Sequence, residues 1–296
     1  MRFCTYQTKG EARLGIVTGE AVVDLQTVAR RKRLQGVPQD MLELIAEVPT
    51  LELRALAREA EAWAKAGKAS LPLARATLLA PIPRPRKNIA CVGRNYVEHA
   101  KESGNAPPEV PVFFTKPPTA VIGPEAPVTH HAVTQQLDYE VELVAVIGRR
   151  GRDIAPEKAL DYVFGYTIMN DVTARDLQRR HLQWFKGKSL DTFAPMGPWI
   201  VHRSAIADPH ALRLSMRLNG EVRQNSTTAN MIFTVARLIS VLSAGMTLEP
   251  GDLLATGTPE GVGMGFTPQK WMSIGDVMEA EVEGIGVLRN RVVAPR

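Results

Sequence analysis

The chain has few of the features that would indicate a secreted or a membrane protein. Its two cysteines, Cys4 and Cys91, provide no disulfide framework in 296 residues, and this favours a reduced setting. The opening residues, MRFCTYQTKGEARLG, carry charges and breaks where a secretory signal has an apolar stretch. The apolar run MIFTVARLISVLSAGM contains Arg237 and is too short to span a bilayer. We therefore predict a cytoplasmic protein that does not contact membranes.

Aromatic residues are also scarce, at 6% of the chain. The net charge of +5 comes from short basic clusters in predicted loops, which lack the interleaved aromatic side chains that stack on bases. We therefore expect no nucleic-acid partner, and a positive field would equally favour a small anionic substrate. In contrast, hydrophobic residues make up 45% of the chain, enough to fill a sizeable core.

The pattern divides the chain near residue 80. Residues 1–80 predict a small α+β domain, with a hairpin about Thr18–Gly19 and an amphipathic helix, LELRALAREAEAWAKAGKA, that ends at Gly67. A linker is marked by four helix-breaking prolines, Pro72, Pro81, Pro83 and Pro85. Residues 81–296 form the second predicted domain.

The second domain reads as β-rich. From Asn88 onward the chain contains many short apolar runs between Gly and Pro turns, and the two clearest helices begin near Val172 and Met231. This is not the regular strand and helix alternation of a doubly wound sheet. We therefore predict an α+β protein whose larger domain is a β-rich roll.

Three acidic residues stand at every second position of the apolar run LDYEVELVAVIG: Asp138, Glu140 and Glu142. In a strand they share one face, roughly 6–7 Å apart, and their repulsion is costly where the strand is partly buried. A bound cation would relieve that repulsion. Oxygen ligands without nearby Cys or His favour Mg²⁺, Mn²⁺ or Ca²⁺ over zinc. The alternative is an exposed face paired with Lys or Arg.

Asp171 ends the apolar run YVFGYTIMN and precedes the predicted helix VTARDLQRRHLQ. Side chains at such junctions commonly project into sites, and a third carboxylate would complete an oxygen site with Glu140 and Glu142. The alternative is that Asp171 caps the helix N-terminus.

His99 and Glu102 lie three residues apart in GRNYVEHAKE. On one helical turn they share a face, so the carboxylate could orient the imidazole as a base that activates water. A solvent-facing pair remains the alternative, and Glu98 could take the place of Glu102.

Lys188 lies in WFKGKSLDTF, where GKS suggests a phosphate loop, but position 182 is leucine rather than the required glycine. Lys116, in PVFFTKPP, follows a strand. Each lysine could be a surface charge, yet each lies in a rigid apolar context that suits anion binding. The loop ATGTPEGVGMG lacks dinucleotide-binding spacing, and its glycines favour tight turns with exposed backbone N–H groups.

Six ordered motifs resemble the fumarylacetoacetate hydrolase family: GRNYVEHAKE, FFTKPPTAVIGP, LDYEVELVAVIG, GYTIMNDVTARDLQ, GKSLDTFAPMGPWIV and LLATGTPEGVG. The resemblance extends from about residue 88 to the C-terminus. Residues 1–80 are similar, more loosely, to the small N-terminal domain of longer bacterial members. The resemblance implies a β-rich roll and, as in most members, a homodimer.

The resemblance also implies a role for particular residues. The metal ligands would be Glu140, Glu142 and Asp171, binding Mg²⁺ or Mn²⁺, with Asp138 behind them. The catalytic residues would be His99, Glu102 and Lys188. The substrate-binding residues would be Arg94, Lys116, Arg175, Gln178 and Thr258.

The activity so implied is hydrolysis of a C–C bond in a β-diketo acid, such as an acylpyruvate, fumarylpyruvate or a 2,4-diketo sugar acid. His99 and Glu102 would activate water, and a metal would stabilise the departing enolate. The same site could serve decarboxylation or isomerisation, of oxaloacetate or a hydroxyhepta-dienedioate. A protein whose carboxylates hold a metal only for stability is the non-enzymatic alternative.

Overall fold

A computed structural model describes residues 1–68 and 70–295. The strands, in chain order, are β1 (Arg2–Thr8), β2 (Glu11–Thr18), β3 (Ala21–Asp24), β4 (Ser70–Pro72), β5 (Thr77–Leu79), β6 (Ile89–Gly93), β7 (Val112–Lys116), β8 (Val121–Ile122), β9 (Val128–Thr129), β10 (Leu137–Asp138), β11 (Val141–Ile147), β12 (Val163–Asn170), β13 (Thr173–Ala174), β14 (Ala194–His202), β15 (Arg213–Leu218), β16 (Glu221–Thr227), β17 (Leu253–Ala255), β18 (Val277–Val282) and β19 (Gly286–Val293). The α-helices are α1 (Leu25–Arg31), α2 (Met41–Glu47), α3 (Thr50–Lys65), α4 (Val97–Glu102), α5 (Pro156–Ala159), α6 (Arg175–Arg180), α7 (Phe185–Lys188) and α8 (Val235–Ser243).

Two large sheets organise these strands. Twelve strands form the first sheet, in which β4, β3, β2, β1, β14, β12, β11, β17, β6 and β7 follow one another while β5 pairs with β1 and β8 with β14. The second sheet has the order β16, β15, β18, β19, β9, and β10 pairs separately with β13. The prediction of a strand-rich α+β protein is confirmed.

The central strand β11 is buried on both faces, which explains its nearly unbroken apolar sequence. Leu143 and Ala145 join the core cluster between the two sheets, while Val144 and Val146 pack in the cluster under the N-terminal helices. Alternation along the strand places Glu142 on the same face as Val144. A carboxylate therefore stands in a position that packing alone would give to an apolar residue.

The N-terminal segment is continuous with the rest of the fold. The hairpin of β2 and β3 turns between Thr18 and Ala21, as predicted. Strand β1 pairs with β14, with Phe3 opposite Ile200. The predicted boundary near residue 80 thus separates two segments that share one sheet and one core cluster.

Both helices predicted for the second domain begin later than their sequence pattern indicates. The first starts at Arg175 instead of near Val172, because Thr173 pairs with Asp138 in the two-stranded sheet. The second starts at Val235 instead of near Met231. Within the described ranges, no helix is long and apolar enough to cross a membrane.

Candidate active site

Two adjacent strands bring the predicted carboxylates together. Strands β11 and β12 are antiparallel with Val141 opposite Asn170, so Glu140 and Asp171 lie where the two strands diverge. The backbone N–H of Asp171 donates to the carbonyl of Glu140 at 2.8 Å, and the N–H of Glu140 donates to Asn170 Oδ1 at 2.9 Å. One ligand oxygen from each of Glu140, Glu142 and Asp171 lies within 4.8 Å of the others.

These carboxylates are buried, so the alternative of an exposed acidic face is wrong. Glu140, Glu142 and Asp171 are 4%, 1% and 0% exposed. The helix-capping alternative for Asp171 is also wrong, because α6 begins after Ala174. Asp138 stays outside the triad, where it accepts hydrogen bonds from the N–H groups of Gly263 and Met264.

Buried cations compensate three of the four carboxylates. Arg175 donates to Asp138 Oδ2 at 2.8 Å and to Glu140 Oε1 at 2.6 Å. Lys188 Nζ donates to Glu140 Oε2 at 2.7 Å and Asp171 Oδ2 at 2.8 Å. Although burial acts to raise the pKa of Glu140, the charges of Lys188 and Arg175 bring that pKa below its usual value.

Glu142 is the carboxylate that no cation compensates by direct contact among the described residues. The contact to its oxygens that the structure shows is the N–H of Gly257, 2.9 Å from Oε2. Burial, reinforced by the charges of Asp171 and Glu140, raises its pKa well above the ordinary value. A buried carboxylate in this state is stabilised by a cation.

The triad fits a divalent metal ion on the chemistry of its donors. Three carboxylates converge, and each ionised carboxylate has about four lone-pair sites, so an oxygen that accepts from lysine or arginine retains capacity for a metal. Oxygen donors of this kind suit Mg²⁺ or Mn²⁺. Glu140, Glu142 and Asp171 form a metal-binding carboxylate triad.

Lys116 is placed differently from its predicted role in substrate binding. It is 0% exposed and donates to Asp171 Oδ1 at 2.5 Å and to the carbonyl of Val172 at 3.1 Å. Burial lowers the pKa of its ammonium, opposed by the adjacent charge of Asp171. Lys116 lies outside the lining of the adjacent cavity, and its contact is with a carboxylate of the triad.

The triad opens onto a cavity of about 180 Å³. This is smaller than the roughly 300–1,000 Å³ of sites for drug-sized ligands. Among the predicted residues, the cavity is lined by Arg94, His99, Glu140, Glu142, Arg175, Gln178, Lys188 and Thr258. The cavity therefore suits a small polar ligand.

His99 and Glu102 lie on one face of α4, as predicted. His99 Nδ1 is 3.3 Å from Glu102 Oε2, and His99 is 6% exposed, so the alternative of a solvent-facing pair is wrong. Glu102 Oε1 also accepts the N–H of Gly261 at 2.9 Å. Glu98, the competing carboxylate, is exposed and bonds Lys101 at 2.7 Å.

The glycine loop after β17 allows Glu102 to approach closely. A Cβ at Gly265 would lie 2.0 Å from Glu102 Oε1, a separation that no side chain could tolerate without movement. The loop also supplies Thr258, whose hydroxyl accepts from Gln224 at 2.8 Å. The glycines therefore shape the wall of the cavity, while the N–H groups of Gly257 and Gly261 bind Glu142 and Glu102.

Gln178 and Arg175 are held together within the cavity lining. Arg175 donates to Gln178 Oε1 at 3.2 Å, which leaves the amide nitrogen of Gln178 directed to other partners. The guanidinium of Arg175 is already committed to two carboxylates. Arg175 therefore stabilises the carboxylates of the site, and its guanidinium has little capacity left to bind a substrate in the cavity.

Sequence reasoning missed an aromatic wall of the cavity. Trp184 and Phe114 both line it, with ring centroids 5.5 Å apart in an edge-to-face arrangement. Lys188 Nζ lies 5.2 Å from the Phe114 ring centroid. The signal was available, because Trp184 stands four residues before Lys188, and residues at that spacing share a helix face.

The comparisons with known proteins agree with this geometry. A family model described as fumarylacetoacetate (FAA) hydrolase C-terminal matches residues 88–293. The chain is 47% identical over 302 residues to oxaloacetate tautomerase YisK of Bacillus subtilis, covering 99% of this chain and 100% of that protein.

Two solved structures resemble the whole chain. A fumarylacetoacetate hydrolase from Exiguobacterium antarcticum has a TM-score of 0.83 at 40% identity, with 100% of both chains covered. Maleylpyruvate hydrolase from Sphingobium sp. SYK-6, in complex with manganese(II) ion and pyruvate, has a TM-score of 0.79 at 31% identity, again with 100% of both chains covered. The chain belongs to the fumarylacetoacetate hydrolase family of enzymes.

Proposed function

We propose that the protein is a divalent-metal-dependent tautomerase that interconverts the enol and keto forms of a small dicarboxylic keto acid of the oxaloacetate type. The observation that carries the proposal is the likeness, over nearly the whole of both chains, to the B. subtilis oxaloacetate tautomerase. The small cavity, with a metal triad and a histidine beside it, supports the same reaction.

The predicted hydrolysis of a C–C bond takes second place. The maleylpyruvate hydrolase supports a keto-acid substrate, but its identity of 31% is lower than the 47% to the tautomerase. Ketonisation adds a proton at C3 and removes one from the enol oxygen, so it consumes no water and breaks no C–C bond. The proton-transfer groups of the cavity are sufficient for this reaction.

His99 is the proton carrier in this proposal. Its Nδ1 faces Glu102, whereas Nε2 makes no hydrogen bond within the described part of the chain and belongs to a residue that lines the cavity. Glu102 fixes the ring and favours the tautomer that carries a proton on Nδ1. Nε2 is then the atom that takes a proton from C3 or returns it.

The other residues hold the substrate and its developing charge. A divalent cation on Glu140, Glu142 and Asp171 would supply the Lewis acidity that lowers the energy of negative charge on the C2 oxygen. Lys188 adds a positive charge next to the same carboxylates, and the Gln178 amide offers a hydrogen-bond donor. The half-buried aromatic wall of Trp184 and Phe114 limits the access of water to the carbanion-like carbon.

The test follows the ketonisation of enol-oxaloacetate by the loss of its ultraviolet absorbance, with Mg²⁺ or Mn²⁺ and with EDTA, while pyruvate release is assayed in parallel. We expect acceleration that depends on metal. His99→Asn should reduce kcat by about 10²- to 10⁴-fold and leave metal binding intact. Glu98→Gln is the matched control, since that exposed carboxylate pairs with Lys101.

Two results would overturn the proposal. One is the absence of metal-dependent acceleration in folded protein. The other is pyruvate release from an acylpyruvate, or from oxaloacetate, with a kcat/KM above that for ketonisation, which would favour hydrolysis or decarboxylation. Retention of full activity by His99→Asn would exclude His99 as the proton carrier.

A further inference from the structure

The charges around the metal triad leave no surplus cation for the second carboxylate of a dicarboxylic substrate. Four buried carboxylates face three buried cations: Asp138, Glu140, Glu142 and Asp171 against Lys116, Arg175 and Lys188. Four minus three leaves one negative charge, which a divalent ion would convert to one positive charge. With His99 neutral, as its role as proton carrier requires, Glu102 adds a further negative charge. The metal and its surroundings therefore offer no surplus positive charge for a second substrate carboxylate, which needs another cation.

Arg94 is the cavity-lining cation that is free to supply that charge. Its guanidinium makes no ion pair and donates no hydrogen bond to any residue within the described ranges 1–68 and 70–295. The other cations of the lining are committed: Arg175 and Lys188 bond carboxylates, and the exposed Arg179 bonds Gln136. A half-buried arginine without an anion is poised to receive one.

Trp184 holds Arg94 in place by its ring face. The guanidinium carbon lies 5.2 Å from the Trp184 ring centroid, a cation–π contact that uses the planar face of arginine and leaves its N–H edge free. Trp184 can occupy this position because residue 93 is glycine: a Cβ there would lie 2.1 Å from the indole ring.

The backbone conformation at Arg94 is also fixed by neighbouring hydrogen bonds. Its φ of +57° lies in the left-handed region, which residues with a Cβ rarely adopt. The next residue, Asn95, is buried and donates from its amide to the carbonyls of Phe233 and Thr256 at 3.0 and 2.8 Å. These bonds keep the strained turn in one conformation, so the guanidinium starts from a defined place.

We propose that Arg94, positioned by Trp184, binds the distal carboxylate of the substrate and selects keto diacids over keto acids that lack this group. This inference rests on the proposed function for the identity of the diacid. The metal triad and Arg94 then mark the two ends of the substrate. Arg94 is a binding residue, and Trp184 is a positioning residue that acts through it.

The experiment compares oxaloacetate with its 4-methyl ester, which has no distal charge. Arg94→Gln should raise KM for oxaloacetate about 10- to 100-fold, the range of a lost charge-assisted hydrogen bond, with little change in kcat or in KM for the ester. Arg94→Lys should recover part of the loss. Trp184→Leu should raise KM for oxaloacetate by less than Arg94→Gln and leave the ester unaffected. Arg179→Gln removes another cation of the lining and should leave the diacid selectivity in place, and Arg180→Gln, at an exposed arginine outside the lining, is the matched control.

Binding separates this inference from the proposed function. Calorimetry of the Mg²⁺-loaded protein measures the affinity for two ligands. Oxalate is long enough to reach only the metal triad, whereas malate also presents a distal carboxylate to Arg94. Arg94→Gln should lower the affinity for malate at least about tenfold and leave the affinity for oxalate unchanged. If wild-type protein lacks tautomerase activity, the proposed function fails, and the malate to oxalate ratio still decides the role of Arg94.

Three results would overturn the inference. The first is an equal loss of affinity for oxalate and malate in Arg94→Gln, or an equal rise of KM for oxaloacetate and its ester, with an unchanged melting temperature. The second is a loss of diacid selectivity in Arg179→Gln that equals that of Arg94→Gln. The third is full diacid selectivity in Arg94→Gln.

Discussion

At the scale of single residues, the buried carboxylates of the site differ in whether a cationic side chain contacts them. Glu140 contacts both Lys188 and Arg175, whereas Glu142 accepts an N–H from Gly257. Both carboxylates are buried, so this difference in partners should give opposite changes in stability when either side chain is replaced by an amide. A cation on the triad would compensate Glu142, which is why we regard Glu142 as the residue that most requires the metal.

The variants Glu142→Gln and Glu140→Gln should therefore differ without metal. Because its raised pKa makes Glu142 take up a proton on folding without metal, Glu142→Gln removes that cost at neutral pH. The amide keeps an oxygen for the Gly257 N–H and should stabilise the fold by about 1–3 kcal/mol. Glu140→Gln leaves Lys188 and Arg175 with fewer anions and should destabilise it by about 3–5 kcal/mol. Thermal unfolding in EDTA measures both. Each variant should also lose metal affinity in a calorimetric titration, and similar destabilisation of the two would contradict our assignment.

At the scale of elements, the ends of the central strands position polar groups. The divergence of β11 and β12 exposes Glu140 and Asp171 to each other, and the turn after β6 presents Arg94. The far end of β14 carries a different polar residue, His202, which is 3% exposed and packs edge-on against Phe164, with ring centroids 5.3 Å apart. The backbone N–H of Ser204 donates to His202 Nδ1 at 3.2 Å, which suits the neutral imidazole.

His202 should make stability depend on pH. Burial, aided by the charges of the Met1 amino group, Arg203 and Arg54, lowers its pKa from 6.5 to about 4. The unfolded chain therefore binds the proton first, so the contribution of His202 is complete above pH 6.5 and is lost as pH falls towards about 4. His202→Gln should lose less stability over this interval.

Urea unfolding at pH 7 and at pH 4.5 measures that difference. The comparison is between the change in the free energy of unfolding of wild-type protein and that of His202→Gln. An equal change in both proteins would show that other groups control acid stability.

At the scale of the whole molecule, the N-terminal segment and the family domain form one folded structure. Phe3 is fully buried and its ring centroid is 5.9 Å from that of Phe164, across the seam where β1 pairs with β14. The core cluster that contains Phe3 also includes Val144 and Ile200 from the larger segment. The two predicted domains should therefore unfold together.

Phe3→Ala tests this cooperativity. The lost packing should lower the free energy of unfolding by about 3–5 kcal/mol, with one transition retained. Far-ultraviolet circular dichroism reports on all elements, and the fluorescence of the three tryptophans that remain in a Trp63→Phe background, Trp184, Trp199 and Trp271, reports on the larger segment. If fluorescence kept its wild-type midpoint while circular dichroism showed a second, earlier transition, the segments would be independent domains.

Much of the site could be predicted because local spacing carries chemical information. Alternation in a strand placed Glu140 and Glu142 on one face, and the three-residue interval paired His99 with Glu102 on one helical turn. Contacts between segments that are distant in the sequence could not be predicted from local spacing. The starts of α6 and α8 were misplaced because tertiary hydrogen bonds override local preference: Asn95 takes the N–H groups of Ile232 and Phe233, both at 2.8 Å.

The sequence by itself determined the strand-rich class, the acidic row, the dyad and the resemblance to one family of metal enzymes, because backbone periodicity and motif order are local properties. Only the tertiary structure decided the pairing of carboxylates with cations. It buried Lys116 against Asp171. Among the described residues it left Glu142 without a contacting cationic side chain and placed Arg94 on Trp184 without an anionic partner. Such pairings depend on strand register and burial, which join residues far apart in the chain and set the energy of every charge among them.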